Sequence, residues 1–322
     1  MERKNQYDIM KGIGIILVIM CHAGLGGFAK EFIYSFHMPL FFFVSGCFFR
    51  NSELGKFLIK NIKQLLIPYL FFVICMITVK QVRSTDFLFS ISSTFLNLDI
   101  TNESDSFLYE SIWFLVCLFE VRIVYWIVYN VFGKHYVAII FVSAILFICG
   151  NCLHYFNVDL PFFIDTTLSV IVFYAAGDLF KKKGFENCII PKWIIPIVIF
   201  VCFGICYFLR PDVEIKLNIY PCYLILVTLP MILALYYSSL FLSKFQGVFL
   251  VKFLQKAGVS SLCILGLHNQ VFYLIGPHLF SIHTPPHAGI LLIIILCIIT
   301  ICLVFIIEKF INKYLPFLLG KF

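Results

Sequence analysis

Lys11 and His22 are the residues whose types and spacing most directly suggest chemistry. They stand eleven positions apart, about three turns of helix, which puts both on one stripe about 16 Å apart along its axis. Asp8 precedes Lys11 by three residues, the spacing of an ion pair on one helix face. An imidazole with an ordinary pKa of about 6.5 is suited to taking a proton, or carrying a group, at neutral pH. His37 lies about as far from the outer end of the second apolar run as His22 does in the first. Both are then about 9 Å deep, facing across one hairpin where their rotations agree. Trp113 enters a later run at similar depth, and His268, followed by Asn269 and Gln270, interrupts another.

Each of these has a structural reading beside the chemical one. A histidine in an apolar helix also serves as a hydrogen-bond partner between helices, and for His268 both readings stand. Trp113 is either an interface-belt aromatic or a pocket wall. Glu120 and Arg122 read as partners for other helices, and Asp178, beside Lys181–Lys183, reads as a helix-end charge. His278, His283 and His287 fall in an outer loop. His22 carries the functional reading because of what surrounds it.

The elements that must position these residues are apolar runs near 9–28, 32–49, 64–82, 108–131, 136–152, 162–180, 192–209, 219–242, 259–277 and 288–312. Each approaches the roughly 20 residues that cross a bilayer. The connection between the first two is very short, near residues 29–31, which predicts an antiparallel pair. Gly12 and Gly14 leave room for a close helix neighbour. The expected fold is an all-α integral membrane protein, a bundle of about ten transmembrane helices. With the N-terminus inside, 18 of the 24 basic residues fall in inside segments. The positive-inside rule thus favours an even number of spans and cytoplasmic N- and C-termini. The longest outside loop, 83–107, holds Asp86, Asp99, Glu103 and Asp105. The chain ends just after the tenth run, so a single domain over 1–322 is expected, with no appended soluble domain.

Composition agrees. Of 322 residues, 61% are hydrophobic and 13% charged, with a mean hydropathy of +1.00, against about 45–50% and about 25% in soluble domains. That excludes a disordered chain, a disulfide scaffold and a nucleic-acid binder. The net charge of +7 is a topology signal that needs no nucleic acid. The thirteen cysteines read as small buried hydrophobes, and no metal site is expected.

The opening stretches YDIMKGIGIILVIMCH and IYSFHMPLFFFVSG closely resemble the membrane-bound acyltransferase-3 family, ten-helix enzymes that O-acylate carbohydrates and related molecules. The likeness continues in family order through KNIKQLLIPYLFF at 60–72, SIWFLVCLF at 111–119, VFYAAGDLFKK at 172–182 and AGVSSLCILGLHNQV at 257–271. The family signature is an arginine, ten residues, then a histidine. His22 matches the histidine, and Lys11 occupies the arginine position, keeping the charge without the bidentate fork. Lys60 and Lys63 likewise stand at the spacing of an Arg-x-x-Arg pair found in some members. The fused esterase-like domain of some relatives is absent.

The resemblance implies a multi-pass protein of the cell (cytoplasmic) membrane with no bound cofactor. It implies acetyl-CoA, or another acyl-CoA, as co-substrate, and a carbohydrate or glycolipid acceptor. Arg50, Lys56, Lys60 and Lys63 form an inside cluster suited to the donor's phosphates, or to setting topology and meeting lipid. His22 then deprotonates the acceptor or carries the acyl group itself. Lys11, His37 and His268 are candidates for orienting groups or oxyanion stabilisers, Lys11 and His37 thereby counting with His22 as catalytic, and Trp113, His268 and Asn269 are candidates for pocket walls. The rival from another class is a secondary transporter or flippase for a polar lipid or sugar. No internal repeat supports that rival.

Overall fold

The computed structural model describes residues 5–81, 111–133, 135–158, 160–209, 223–279 and 289–321, all helices and their connections. The expected loop over 83–107, Lys134, Arg210, Lys216, His283, His287 and the side chain of His278 lie outside the described residues. In order the helices are α1 Asn5–His22, α2 Gly27–Tyr34, α3 His37–Cys47, α4 Leu54–Asn61 and α5 Ile67–Gln81. Next come α6 Trp113–Phe132, α7 Tyr136–Tyr155, α8 Ile164–Lys182, α9 Ile194–Leu209 and α10 Leu229–Leu242. The last are α11 Phe249–Val259, α12 Ser261–Leu279 and α13 Ile290–Tyr314. A π turn at Ile62–Leu66 joins α4 to α5.

Six helical stretches are long and apolar enough to cross a membrane: Leu54–Val79, Trp113–Phe132, Tyr136–Tyr155, Pro161–Lys182, Ile225–Leu242 and Ile290–Tyr314. A seventh is added if α11 and α12, which meet at 84°, form one broken span. Each expected apolar run overlaps helix among the described residues, but the first two are divided over three helices, and the count of spans among the described residues falls short of ten. The helices outside it are short or polar for a physical reason. α1 carries Asp8, Lys11 and His22 because it packs against α3, α10, α11, α12 and α13, not against lipid alone.

The three-residue turn expected near 29–31 is instead a helical connection. α1 ends at His22, Gly24 and Gly27 take positive φ angles of 101° and 62°, and α2 follows. These conformations are open to glycine at little cost and stop the first helix early. A second break at Ser35–Phe36 precedes α3, whose Pro39 sits in its first turn, where the missing N–H is tolerated.

Two reciprocal glycine crossings fix the centre. A Cβ on Gly12 would strike the Leu254 carbonyl, and one on Gly258 would strike that of Asp8, which brings α1 and α11 backbone to backbone. Gly46 of α3 and Gly177 of α8 meet the carbonyls of Tyr174 and Phe43 in the same way. Small residues permit this approach where no hydrophobic force draws helices together in lipid. α1 and α3 are in turn packed on one another, so the helix bearing Lys11 and His22 is held rigidly from two sides.

Candidate active site

His22, the last residue of α1, meets His268 in the middle of α12. His22 Nδ1 and His268 Nε2 are 2.6 Å apart. The ring centroids are 4.9 Å apart and the planes diverge by 1°, so the rings join edge to edge in one plane. His268 Nδ1 lies 2.8 Å from the Ile264 carbonyl oxygen and 3.0 Å from that of Leu265. A carbonyl only accepts, so His268 Nδ1 carries the hydrogen and, in the neutral ring, Nε2 holds a lone pair. The proton in the shared bond then belongs to His22 Nδ1. His22 Nε2 is left with its lone pair. The backbone of α12 thereby sets the tautomer of His22 through His268, as an orienting carboxylate does in a catalytic triad. His268 is fully buried, whereas His22 keeps partial exposure.

A cavity of about 230 Å³ lies between α1, α3, α6 and α12. Lys11 and Ile15 line it from α1, and Ser261, Leu262 and Leu265 from α12. Those residues prolong into the histidine pair: His22 is two turns beyond Ile15 on one stripe, and His268 one turn beyond Leu265. The two histidines do not themselves line the cavity; they stand one to two turns beyond its lining residues on two of its helices. The remaining wall is mostly apolar, including Met38, Phe41 and Phe114, a shape for a long thin group rather than a polar solute. Lys11 Nζ bonds Asp8 at 3.0 Å, the expected pair.

One cavity residue carries a charge the sequence reasoning set aside. Arg122 of α6 lines the wall, its Nε and Nη2 donating to Ser45 Oγ at 3.2 and 3.0 Å. Its Nη1 donates to Asn61 Oδ1 at 2.9 Å and reaches Gln64 Oε1 at 3.5 Å. The sequence signal that could have found it is the expense of a charge within an apolar run.

A family model described as an acyltransferase domain matches residues 4–309, nearly the whole chain and every element of this site. The chain belongs to the acyltransferase-3 family. It is a multi-pass membrane acyltransferase. No curated protein and no solved structure matches it.

The acyltransferase brings together only some of the residues singled out by sequence. His37, first in α3, is buried, bonds the Ile33 carbonyl through Nδ1 at 3.0 Å and stacks on Tyr34. Among the described residues no hydrogen bond joins it to His22. Asn269 Nδ2 donates to Ser111 Oγ at 3.4 Å, tying α12 to the start of α6. Trp113 packs between Phe114 and Phe163. Phe162 and Phe163 both take left-handed φ angles, 60° and 67°, a strained pair the sequence did not signal. Lys56 pairs with Glu53 on the surface. Lys60 is exposed and feels the charges of Arg122 and Arg50. Among the described lining residues none of Arg50, Lys56, Lys60 or Lys63 appears.

Two expectations are corrected. Asp178 is 2% exposed and accepts bonds from Tyr125 Oη at 2.7 Å and Lys182 Nζ at 2.9 Å, a buried tie rather than a helix-end charge. Not all cysteines are buried: Cys149 and Cys152, at a Cys-x-x-Cys spacing on α7, are exposed, as are Cys188 and Cys302. An apolar helix side can face lipid, where a small thiol is tolerated as readily as in a core.

Proposed function

We propose that the protein is an O-acyltransferase of the cell membrane. It moves an acetyl group from cytoplasmic acetyl-CoA to a hydroxyl of a surface or exported glycan. Its termini are cytoplasmic, the arrangement that keeps most basic residues inside. The observation that carries the reading is the His22–His268 bond between two helices, α1 and α12, that also wall a mostly apolar cavity.

In this reading the donor enters past Arg50, Lys56, Lys60 and Lys63, whose positive charges meet its phosphates, and its thin arm runs along the cavity toward His22. His22 Nε2 takes the acceptor's hydroxyl proton as the oxygen attacks the thioester carbonyl. The C–S bond then breaks, and the thiolate leaves with that proton, giving an ester and free coenzyme thiol. An acyl-histidine route uses the same lone pair, with Nε2 attacking first and the hydroxyl second. Lys11, about 16 Å down the stripe, belongs with the donor rather than with the oxyanion. His37, Trp113 and Asn269 border the side from which the acceptor arrives.

Mass spectrometry of cell-surface glycans with and without the gene tests this. Loss of an acetyl-sized increment is the expected result. Unchanged glycans would overturn the acceptor assignment.

A further inference from the structure

The cavity contains a cation whose charge nothing in the wall answers. Every hydrogen bond of Arg122 among the described residues goes to a neutral oxygen, of Ser45, Asn61 or Gln64. No described carboxylate pairs with it. Asp8, one turn before the lining residue Lys11, is engaged by that lysine. A guanidinium inside a helical bundle costs free energy that neutral partners offset only in part. Such partners do something else well. Ser45 and Asn61 fix the plane of the fork, and the π turn beginning just after Asn61 brings Gln64 to the same group. Of the five guanidinium N–H groups, one on Nη2 has no partner, and the 3.5 Å contact to the exposed Gln64 is readily exchanged. Lys11 lines the same cavity, so its described lining holds two cations and no carboxylate.

We infer that Arg122, held by Ser45 and Asn61, binds a phosphate of the acyl donor inside the cavity. The inference rests on the acyl-CoA reading and deepens it. The surface lysines Lys60 and Lys63 attract the donor at the mouth, and Arg122 holds it in place. A planar fork suits a phosphate because it offers two parallel donors, which a lysine cannot. The apolar remainder of the wall suits the uncharged arm beyond.

The test compares binding of coenzyme A and of pantetheine, which has no phosphate, to purified protein in a phosphate-free maltoside detergent. The wild type is expected to prefer coenzyme A, and Arg122→Gln to lose that preference by about tenfold or more, the scale of one charge-assisted hydrogen bond. Arg122→Lys recovers part of it, and Ser45→Ala, which keeps the charge, loses a smaller part. An unchanged preference in a monodisperse Arg122→Gln protein would overturn the inference while leaving the acyltransferase reading intact. Failure of the wild type to bind coenzyme A at all would overturn both. Added phosphatidylglycerol that competes with coenzyme A in the wild type, but no longer binds Arg122→Gln, would instead assign the site to a lipid phosphate and overturn the donor assignment.

Discussion

Among the described residues, a His–His pair and a His–Asp pair lie within the helices, and they differ in what surrounds them. His154 of α7 faces Asp165 of α8 across 3.5 Å, both side chains nearly inaccessible. Neither lines the cavity beside α1. Nor do His22 and His268 line it, but the two helices they join, α1 and α12, are ones that wall the cavity one to two turns away. His268 is locked by the carbonyls of its own helix, so its partner is left with a defined lone pair and partial exposure. An intramembrane histidine is therefore not a marker of chemistry by itself. What separates the two pairs is a fixed tautomer carried on two of the helices that wall a cavity.

That contrast can be broken by substitution. His22→Ala removes the base, so acyl transfer is expected to fall by about 10²–10⁴-fold or more, with the protein still inserted at normal abundance. Transfer that persisted would end the catalytic assignment. His268→Leu leaves His22 but removes the acceptor of its Nδ1 hydrogen. kcat should drop by about 10–100-fold, the usual effect of losing an orienting partner. His268→Gln supplies a carbonyl in its place and should recover part of the loss, with the donor KM unmoved. Equal losses in both variants would reduce His268 to packing.

Smaller effects sharpen the comparison. Lys60→Ala with Lys63→Ala should raise the donor's apparent KM by about 3–10-fold, leaving that of the acceptor unchanged, since exposed charges act weakly and in a salt-dependent way. His154→Gln should leave kcat within about threefold and lower stability by about 1–3 kcal/mol, a structural cost only. A large loss of kcat there would erase the distinction between the two pairs.

Much of the frame was legible in the sequence. The apolar runs overlap helices, and the Asp8–Lys11 pair is present because its geometry is local to one helix. Gly12 faces a neighbour's backbone as its size suggested. What escaped depends on how helices are rotated against one another. His22 and His268 are 246 positions apart, and depth alone could not say that their rings meet while His37 turns to the Ile33 carbonyl. Arg122 was read as structural because its partners, Ser45, Asn61 and Gln64, come from other helices and are uncharged. The connecting helix α2 was missed because its apolar residues continue the pattern on either side, and only Gly24 and Gly27 mark the break. The length test gives fewer crossings than the apolar runs, since helices enclosed by other helices can be short and polar.

The central claim is that His22 moves an acyl group from a thioester. Purified wild-type protein and His22→Ala, given acetyl-CoA and a hydroxyl-bearing glycan acceptor, should be compared for release of free thiol. The account predicts acceptor-dependent thiol release by the wild type, matched by ester formed, and none above background in the variant. Thiol release at equal rates by both proteins, or by neither, would contradict it.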